Sequence, residues 1–321
     1  MQIADSAAAF ATLGTSGVTI GNFDGVHLGH QALVRRTLDV CRARGLACVV
    51  VTFRPHPRTV LTPERPHAPL STREQRFALL EGLGVRHILE LPFTRQLAAL
   101  PPETFVREYL LPLAPRELVV GHDFTLGRGR SGHPDLLRRI GRELGFGVEQ
   151  VPAVLADGAP VSSTRLRRCL AEGDVALAQC LLGRPYALSG TVAHGEGRGA
   201  GLGFPTANLE GAATLLPGNG VYATRARCGG RSFDAVTNIG RKPTFGGGRL
   251  TVESFLLDAA EDLYGQDLHL EFAARLRGEQ RFADAGALSR QIGADVAAAR
   301  RLLAAENGRD AGPAAACGGR P

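Results

Sequence analysis

Apolar positions run continuously in the first half of the chain and alternate in the second. "GVTI" at 17–20 and "ACVVVTF" at 47–53 are unbroken apolar runs, the pattern of strands buried on both faces. Between them, Val34, Leu38 and Cys41 recur at helical spacing and predict a helix over 29–44. Ser71-Thr72-Arg73-Glu74 has the S-x-x-E form of a capping box and predicts a helix to about 82. "HILELPF", "ELVVG" and "GVEQVPAV" are further strands, with a helix over 134–144. Strands alternating with helices imply a parallel sheet covered on both faces. Near residue 185 the pattern changes. "YALSGTVA", "GVYATRARC", "RSFDAVTNIG", "LTVESFLLD" and "DLHLEFAARLR" are strands joined by Gly-rich turns, and Gly229-Gly230 forms a two-residue hairpin. Short strands at this spacing predict a small antiparallel barrel. A helix over 284–305 follows, with Leu288, Ile292 and Val296 on one face. The expected domains are 1–184 and 185–306, with 307–321 a disordered tail, since it is small, polar and rich in Gly and Pro.

Composition changes this picture little. The chain has 321 residues, 44% hydrophobic and 21% charged, as expected of a protein with packed cores. No run approaches the roughly 18 apolar residues of a membrane span, and the N-terminus has no basic leader, so a cytoplasmic protein is expected. Six cysteines lack metal-site spacing and read as reduced thiols. The formal charge is +6, yet basic residues are interleaved with acids and few aromatics lie near them. That fits small anionic substrates better than nucleic acid. Only Lys242 among the 37 basic residues is a lysine, so an arginine here carries little information.

Two stretches carry chemistry. "GNFDGVHLGH" at 21–30 lies where a parallel strand hands over to a helix, the ligand-binding edge of α/β sheets. Its glycines admit close approach of a phosphate, and His27 and His30, three apart, can face one phosphate group. The competing reading is a metal-binding or merely capped turn. In the second half, "HGEGRGAGLGFPTANL" at 194–209 suits a phosphate-and-magnesium cradle or a plain hairpin loop. Glu253 is either a general base or a solvated strand residue.

The opening motif closely resembles the HxGH signature of nucleotidylyl transferases, as found in the FMN adenylyltransferase half of the prokaryotic riboflavin kinase/FAD synthetase family. "VTFRPHP" at 51–57, "GHDFTLGRGRSG" at 121–132 and "VSSTRLR" at 161–167 resemble later motifs of that half, in order. "GFPTAN" at 203–208, "GVY" at 220–222, "NIGRKPTF" at 238–245, "VESFLLD" at 252–258, "LYG" at 263–265, "RGEQRF" at 277–282 and "QIGAD" at 291–295 resemble the kinase half. The resemblance covers nearly the whole chain to about residue 305. It implies an α/β Rossmann-like nucleotidylyltransferase domain with a parallel sheet, then a small antiparallel β-barrel riboflavin kinase domain with a C-terminal helix.

By that resemblance, His27 and His30 stabilise charge at the α-phosphate of ATP, while Asn22, Ser163, Thr164 and Arg167 hold the triphosphate and Asp123 contacts nucleotide. Gly21, Phe23, Asp24, Phe53, Pro55, Pro57, Arg130 and Ser162 complete the ATP and flavin set. In the kinase half, Thr206 and Asn208 bind Mg²⁺ and ATP phosphates and Glu253 is the base. Gly195, Gly203, Phe204, Pro205, Asn238, Lys242 and Arg277 complete that set. The implied substrates are riboflavin, FMN and ATP, with no nucleic-acid or membrane partner; oligomeric state is open. Four residues depart from the family pattern. Leu126 replaces a usual Phe and Arg128 a usual Lys, both tolerable; Ala200 replaces Arg and Phe255 replaces His. Losing one charge-assisted contact at 200 costs on the order of 1.5–3 kcal/mol, slowing a kinase without abolishing it. The alternatives are an adenylyltransferase with an impaired kinase domain, or a non-catalytic flavin or nucleotide sensor, against which the paired histidines speak.

Overall fold

A computed structural model describes residues 1–65, 67–194, 203–241, 250–259 and 263–307. The chain divides into two compact units, one ending at Val161 and the other beginning at Ser162. The first holds β1 (Gln2–Ala4), β2 (Ser16–Ile20), α1 (Leu28–Arg44), β3 (Ala47–Arg54), α2 (Pro57–Leu61), α3 (Arg73–Gly82), β4 (His87–Pro92), β5 (Pro115–Gly121), α4 (Pro134–Leu144) and β6 (Gly147–Val151). The six strands form one sheet in the order β1-β4-β3-β2-β5-β6, every pair parallel. The continuous apolar runs are explained by burial on both sides. Val18, Ile20, Val49, Val51, Leu118 and Val120 join one core cluster, while Val50, Ile88 and Val119 join the other with Leu33, Val34 and Phe77. The short first strand was not anticipated. Three residues paired at a sheet edge leave too little periodicity to read.

The helix expected from Ser71 starts one residue later. Thr72 is the N-cap and Gln75 completes the capping box, both reciprocal bonds being present. The reason is tertiary: the Ser71 hydroxyl instead accepts the Gly25 N–H at 3.0 Å, tying this loop to the motif at 21–30.

The second unit begins with α5 (Ser163–Ala171) and α6 (Val175–Leu182). Then come β7 (Tyr186–Ala193), β8 (Ala207–Glu210), β9 (Gly220–Cys228), β10 (Arg231–Arg241), β11 (Leu250–Leu256), β12 (Asp267–Arg277) and α7 (Ala285–Asn307). The strands close an antiparallel barrel in the order β8-β11-β10-β9-β12-β7. Gly229 and Gly230 take φ +57° and +76° in the β9–β10 hairpin, as a type I′ turn requires. Along β11, Val252, Ser254 and Leu256 are buried while Thr251, Glu253 and Phe255 are half-buried; alternation therefore places Glu253 outside the barrel. Inside, Thr224, Thr237 and Ser254 form a fully buried hydroxyl ladder across three strands, with oxygens 2.7 and 2.8 Å apart. Helix α7 covers part of the outer surface through Ala299 and Leu303 against Val221, Ala223, Val236 and Ala273. Cys41, Cys48, Cys169 and Cys228 are free thiols, whereas Cys180 is disulfide-bonded, against the expectation of six reduced thiols. The tail from 308 lies outside the described residues.

Candidate active sites

In the first unit the chain runs β2-β3-β4 to one side and places β5 on the other side of β2. The carboxyl ends of β2 and β5 thus flank the point where strand order reverses, where open α/β sheets bind ligands. The motif at 21–30 follows β2, and the loop at 121–132 follows β5.

The first loop is strained. Phe23, Gly25 and Val26 all have positive φ, at +50°, +79° and +41°. Left-handed backbone at a β-branched residue costs on the order of 1–3 kcal/mol. Burial of Phe23 and Val26 in the core offsets that cost. Asn22 is pinned through its carbonyl, which accepts Arg76 Nη1 at 3.2 Å, and Arg76 is itself paired with buried Glu90. Asp24 is 3% exposed, and its Oδ1 accepts the N–H groups of Leu70 and Ser71 at 2.9 and 3.2 Å. The positioning pair Arg76–Glu90 was not foreseen, since nothing local distinguishes it from any helix arginine and strand glutamate.

His27 caps α1: its Nδ1 accepts the His30 N–H at 3.3 Å. A neutral ring whose Nδ1 accepts carries its proton on Nε2, so His27 is a donor there. The His30 ring stacks on it with centroids 3.7 Å apart and planes 14° apart, and Phe23 meets His30 edge-on at 5.3 Å. Burial, and secondarily the neighbouring His27, holds the His30 imidazole well below its usual range. His30 is therefore neutral at pH 7. Its Nδ1 is buried without a hydrogen-bond partner among the described residues. A Cβ at Gly29 would stand 3.2 Å from the His27 ring, tight enough that the ring would have to shift by a few tenths of an ångström.

After β3, Phe53 packs edge-on against Phe93 at 5.5 Å, and Pro55 and Pro57 bracket His56, whose Nδ1 accepts the Arg58 N–H. In the loop after β5, the Asp123 carboxylate is exposed, while Arg130 Nε donates to Thr125 Oγ1 at 3.0 Å. Leu126 is buried at 9% exposure and joins the core, so the departure there is a packing residue.

In the second unit, Ser162 is the N-cap of α5, accepting the Arg165 N–H at 3.2 Å. Ser163 and Thr164 consequently occupy the first helical turn, as an anion site at a helix start requires, and Arg167 Nη1 donates to the Ser163 carbonyl.

The barrel register does what spacing cannot reveal. Asn208 on β8 pairs with Glu253 on β11, Glu253 with Asn238 on β10, Asn238 with Val221 on β9, and Val221 with Arg277 on β12. Four of the expected kinase residues therefore lie on one row across the barrel's outer face. Neighbouring side chains on such a row stand about 4.5–5.5 Å apart at Cβ. Arg277 is held by Asp295 of α7 through Nε and Nη2, at 3.1 and 2.8 Å, and Gln291 also donates to Asp295. Phe255 meets Phe204 edge-on at 5.4 Å with planes 88° apart, which packs the segment before β8 against β11. Gly203, Pro205 and Thr206 belong to that segment. Gly195, Ala200 and Lys242 lie outside the described residues.

A carboxyl-edge loop with two stacked imidazoles, followed by a barrel with one carboxylate in a row of polar side chains, defines a two-part nucleotide-handling enzyme. Residues 11–165 match the FAD synthetase family model and 182–303 the riboflavin kinase family model. Relatives called bifunctional riboflavin kinase/FMN adenylyltransferase include proteins of Pseudomonas fluorescens (44% identical), Escherichia coli K12 (39%) and Bacillus subtilis (34%). Each match covers 89% of this chain and 92% of the relative. A crystal structure described as a macrolide-efflux protein from Streptococcus pneumoniae superposes with TM-score 0.85 at 30% identity, over 93% of this chain and 98% of that one. Among the described residues no helix is long and apolar enough to cross a membrane. The chain belongs to the bifunctional riboflavin kinase/FMN adenylyltransferase family.

Proposed function

We propose that the chain phosphorylates riboflavin to FMN with ATP in the barrel domain, then adenylylates FMN to FAD with a second ATP at the parallel sheet. The observation that carries the second step is the stacked His27–His30 pair at the strand-order reversal. An FMN phosphate oxygen attacks the α-phosphorus, the bond to the β-phosphate oxygen breaks, and pyrophosphate leaves. Catalysis is then positioning plus electrostatic stabilisation. His27 donates through Nε2 to the phosphate oxygens, and the neutral His30 ring stacks against it. Asn22, Ser163, Thr164 and Arg167 hold the triphosphate; Asp123 contacts nucleotide; Gly21, Phe23, Asp24, Phe53, Pro55, Pro57, Arg130 and Ser162 shape the ATP and flavin surfaces.

In the kinase step Glu253 removes the proton of the riboflavin 5′-hydroxyl as that oxygen attacks the γ-phosphorus and ADP leaves. Asn208, Asn238 and Arg277 share its row and orient substrate and phosphate, with Gly195, Gly203, Phe204, Pro205 and Lys242 in the surrounding loops. The Thr206 hydroxyl and Asn208 carboxamide are hard oxygen donors beside that carboxylate, a set that suits Mg²⁺; when bound, the ion would offset phosphate charge. The functional boundary is placed near 185, with cytoplasmic location. Incubation with riboflavin, ATP and MgCl₂, followed by chromatography of the flavins, tests the reading. Both FMN and FAD are expected. FAD from added FMN alone would leave only the adenylyltransferase, and neither product would reject the proposal.

A further inference from the structure

At the adenylyltransferase loop, Asp24, which shapes the ATP and flavin surface, lies with two histidines to which neither reaction gives a role. Asp24, His56 and His67 each offer one ligand atom, and those atoms all lie within 4.8 Å of one another. They come from three different loops: after β2, after β3, and ahead of α3. His67 Nε2 and Asp24 Oδ2 are 3.7 Å apart, and both side chains are almost fully buried, at 5% and 4% exposure. That spacing is too long for a good hydrogen bond. It is close to the roughly 3.4 Å that two donors keep across a tetrahedral ion with bonds of about 2.0–2.1 Å. The carboxylate is also oriented as a metal ligand needs: its other oxygen is fixed by the N–H groups of Leu70 and Ser71, leaving Oδ2 facing the histidines.

We infer that Asp24, His56 and His67 form a binding site for a divalent transition-metal ion of the Zn²⁺ class, clamping the three loops at the carboxyl edge of β2 and β3. Two imidazoles and one carboxylate select such an ion over Mg²⁺, which prefers oxygen donors and retained water. The His56 and His67 rings now stack with centroids 4.1 Å apart and planes 23° apart. Closing on an ion requires them to splay so that both lone pairs converge, a side-chain rotation that leaves the backbone in place. If His56 ligates through Nε2, its ring proton moves to Nδ1 and the exposed Arg58 N–H passes to water. The open coordination positions are filled by water.

The test uses full-length protein stripped with chelator and titrated with Co²⁺, read by its visible ligand-field bands, with Zn²⁺ as competitor. One Co²⁺ per chain is expected, with the bands of a low-coordinate site, displaced by one equivalent of Zn²⁺. His67→Gln and His56→Gln should each weaken binding by about 100-fold or more, at least the upper end of what second-shell losses cost. The double variant His27→Gln/His30→Gln should keep it. Far-UV circular dichroism checks that each variant is folded, and half-buried His56 provides a second variant if the buried His67 is not tolerated. No stoichiometric uptake by the wild type overturns the site. So does uptake lost with His27 and His30 but kept without His56 or His67.

Discussion

The half-buried His30 ring makes a pH-dependent contribution to stability whose sign and upper limit follow from its surroundings. Desolvation, with a smaller effect of His27, lowers its folded-state pKa well below 6.5, while the unfolded ring titrates near 6.5. Above 6.5 the ring is neutral in both states and costs nothing. As pH falls below 6.5 the unfolded chain binds the proton and the folded chain resists it. Stability is therefore lost at up to about 1.4 kcal/mol per pH unit until the folded ring titrates. Between pH 6.5 and 5.0 that amounts to about 2 kcal/mol, so long as the folded ring stays neutral. The perturbation is His30→Gln, which keeps a polar side chain but removes the titration. Urea unfolding of both proteins at pH 8.0 and 5.0, monitored on the transition of the N-terminal unit, gives the double difference. Wild type should lose more than the variant, by up to about 2 kcal/mol. A second readout is the His30 ring resonance, which should show no protonation step near 6.5. Equal losses in the two proteins, or a ring titrating normally, would refute the picture of a desolvated neutral imidazole.

Other consequences can be checked separately. Glu253→Gln should abolish most FMN formation while FAD formation from added FMN persists; undiminished FMN synthesis removes the base assignment. Thr237→Val deletes the central hydroxyl of the buried ladder, so Thr224 and Ser254 lose their partners at 2.7 and 2.8 Å. The expected cost is about 1–3 kcal/mol in the barrel's unfolding transition, with adenylyltransferase kinetics unchanged. Asp295→Ala leaves Arg277 without its carboxylate on a largely buried side chain. A loss of about 3–5 kcal/mol, seen as a lowered barrel transition, is expected for breaking such a pair; an unchanged transition would show that α7 is held by its apolar face alone.

Local regularities were legible because they are repeated locally. The unbroken runs at 17–20 and 47–53, the helices over 134–144 and 284–305, and the Gly-Gly hairpin all follow from periodicity or from the φ a turn demands. The candidate sites were reached through motifs that resemble a known family, whereas the residues alone left a capped turn, a plain hairpin loop and a solvated Glu253 open. Asp24 shows the limit: its place in the motif does not disclose that one oxygen is fixed by Leu70 and Ser71 while the other faces His67.

Chain order and residue type alone thus determined the succession of a doubly covered parallel sheet and a small barrel, and marked the stretches in which candidate residues for chemistry lie. Only the tertiary structure decided which of those residues share a face, a register row or a dry environment. It moved a helix cap from Ser71 to Thr72, aligned Asn208, Glu253, Asn238 and Arg277 across the barrel, and pressed His30 against His27 and Phe23. The reason is one of range. Periodicity and turn preference act over a few residues, whereas register, desolvation and convergence of ligand atoms depend on segments brought together by packing.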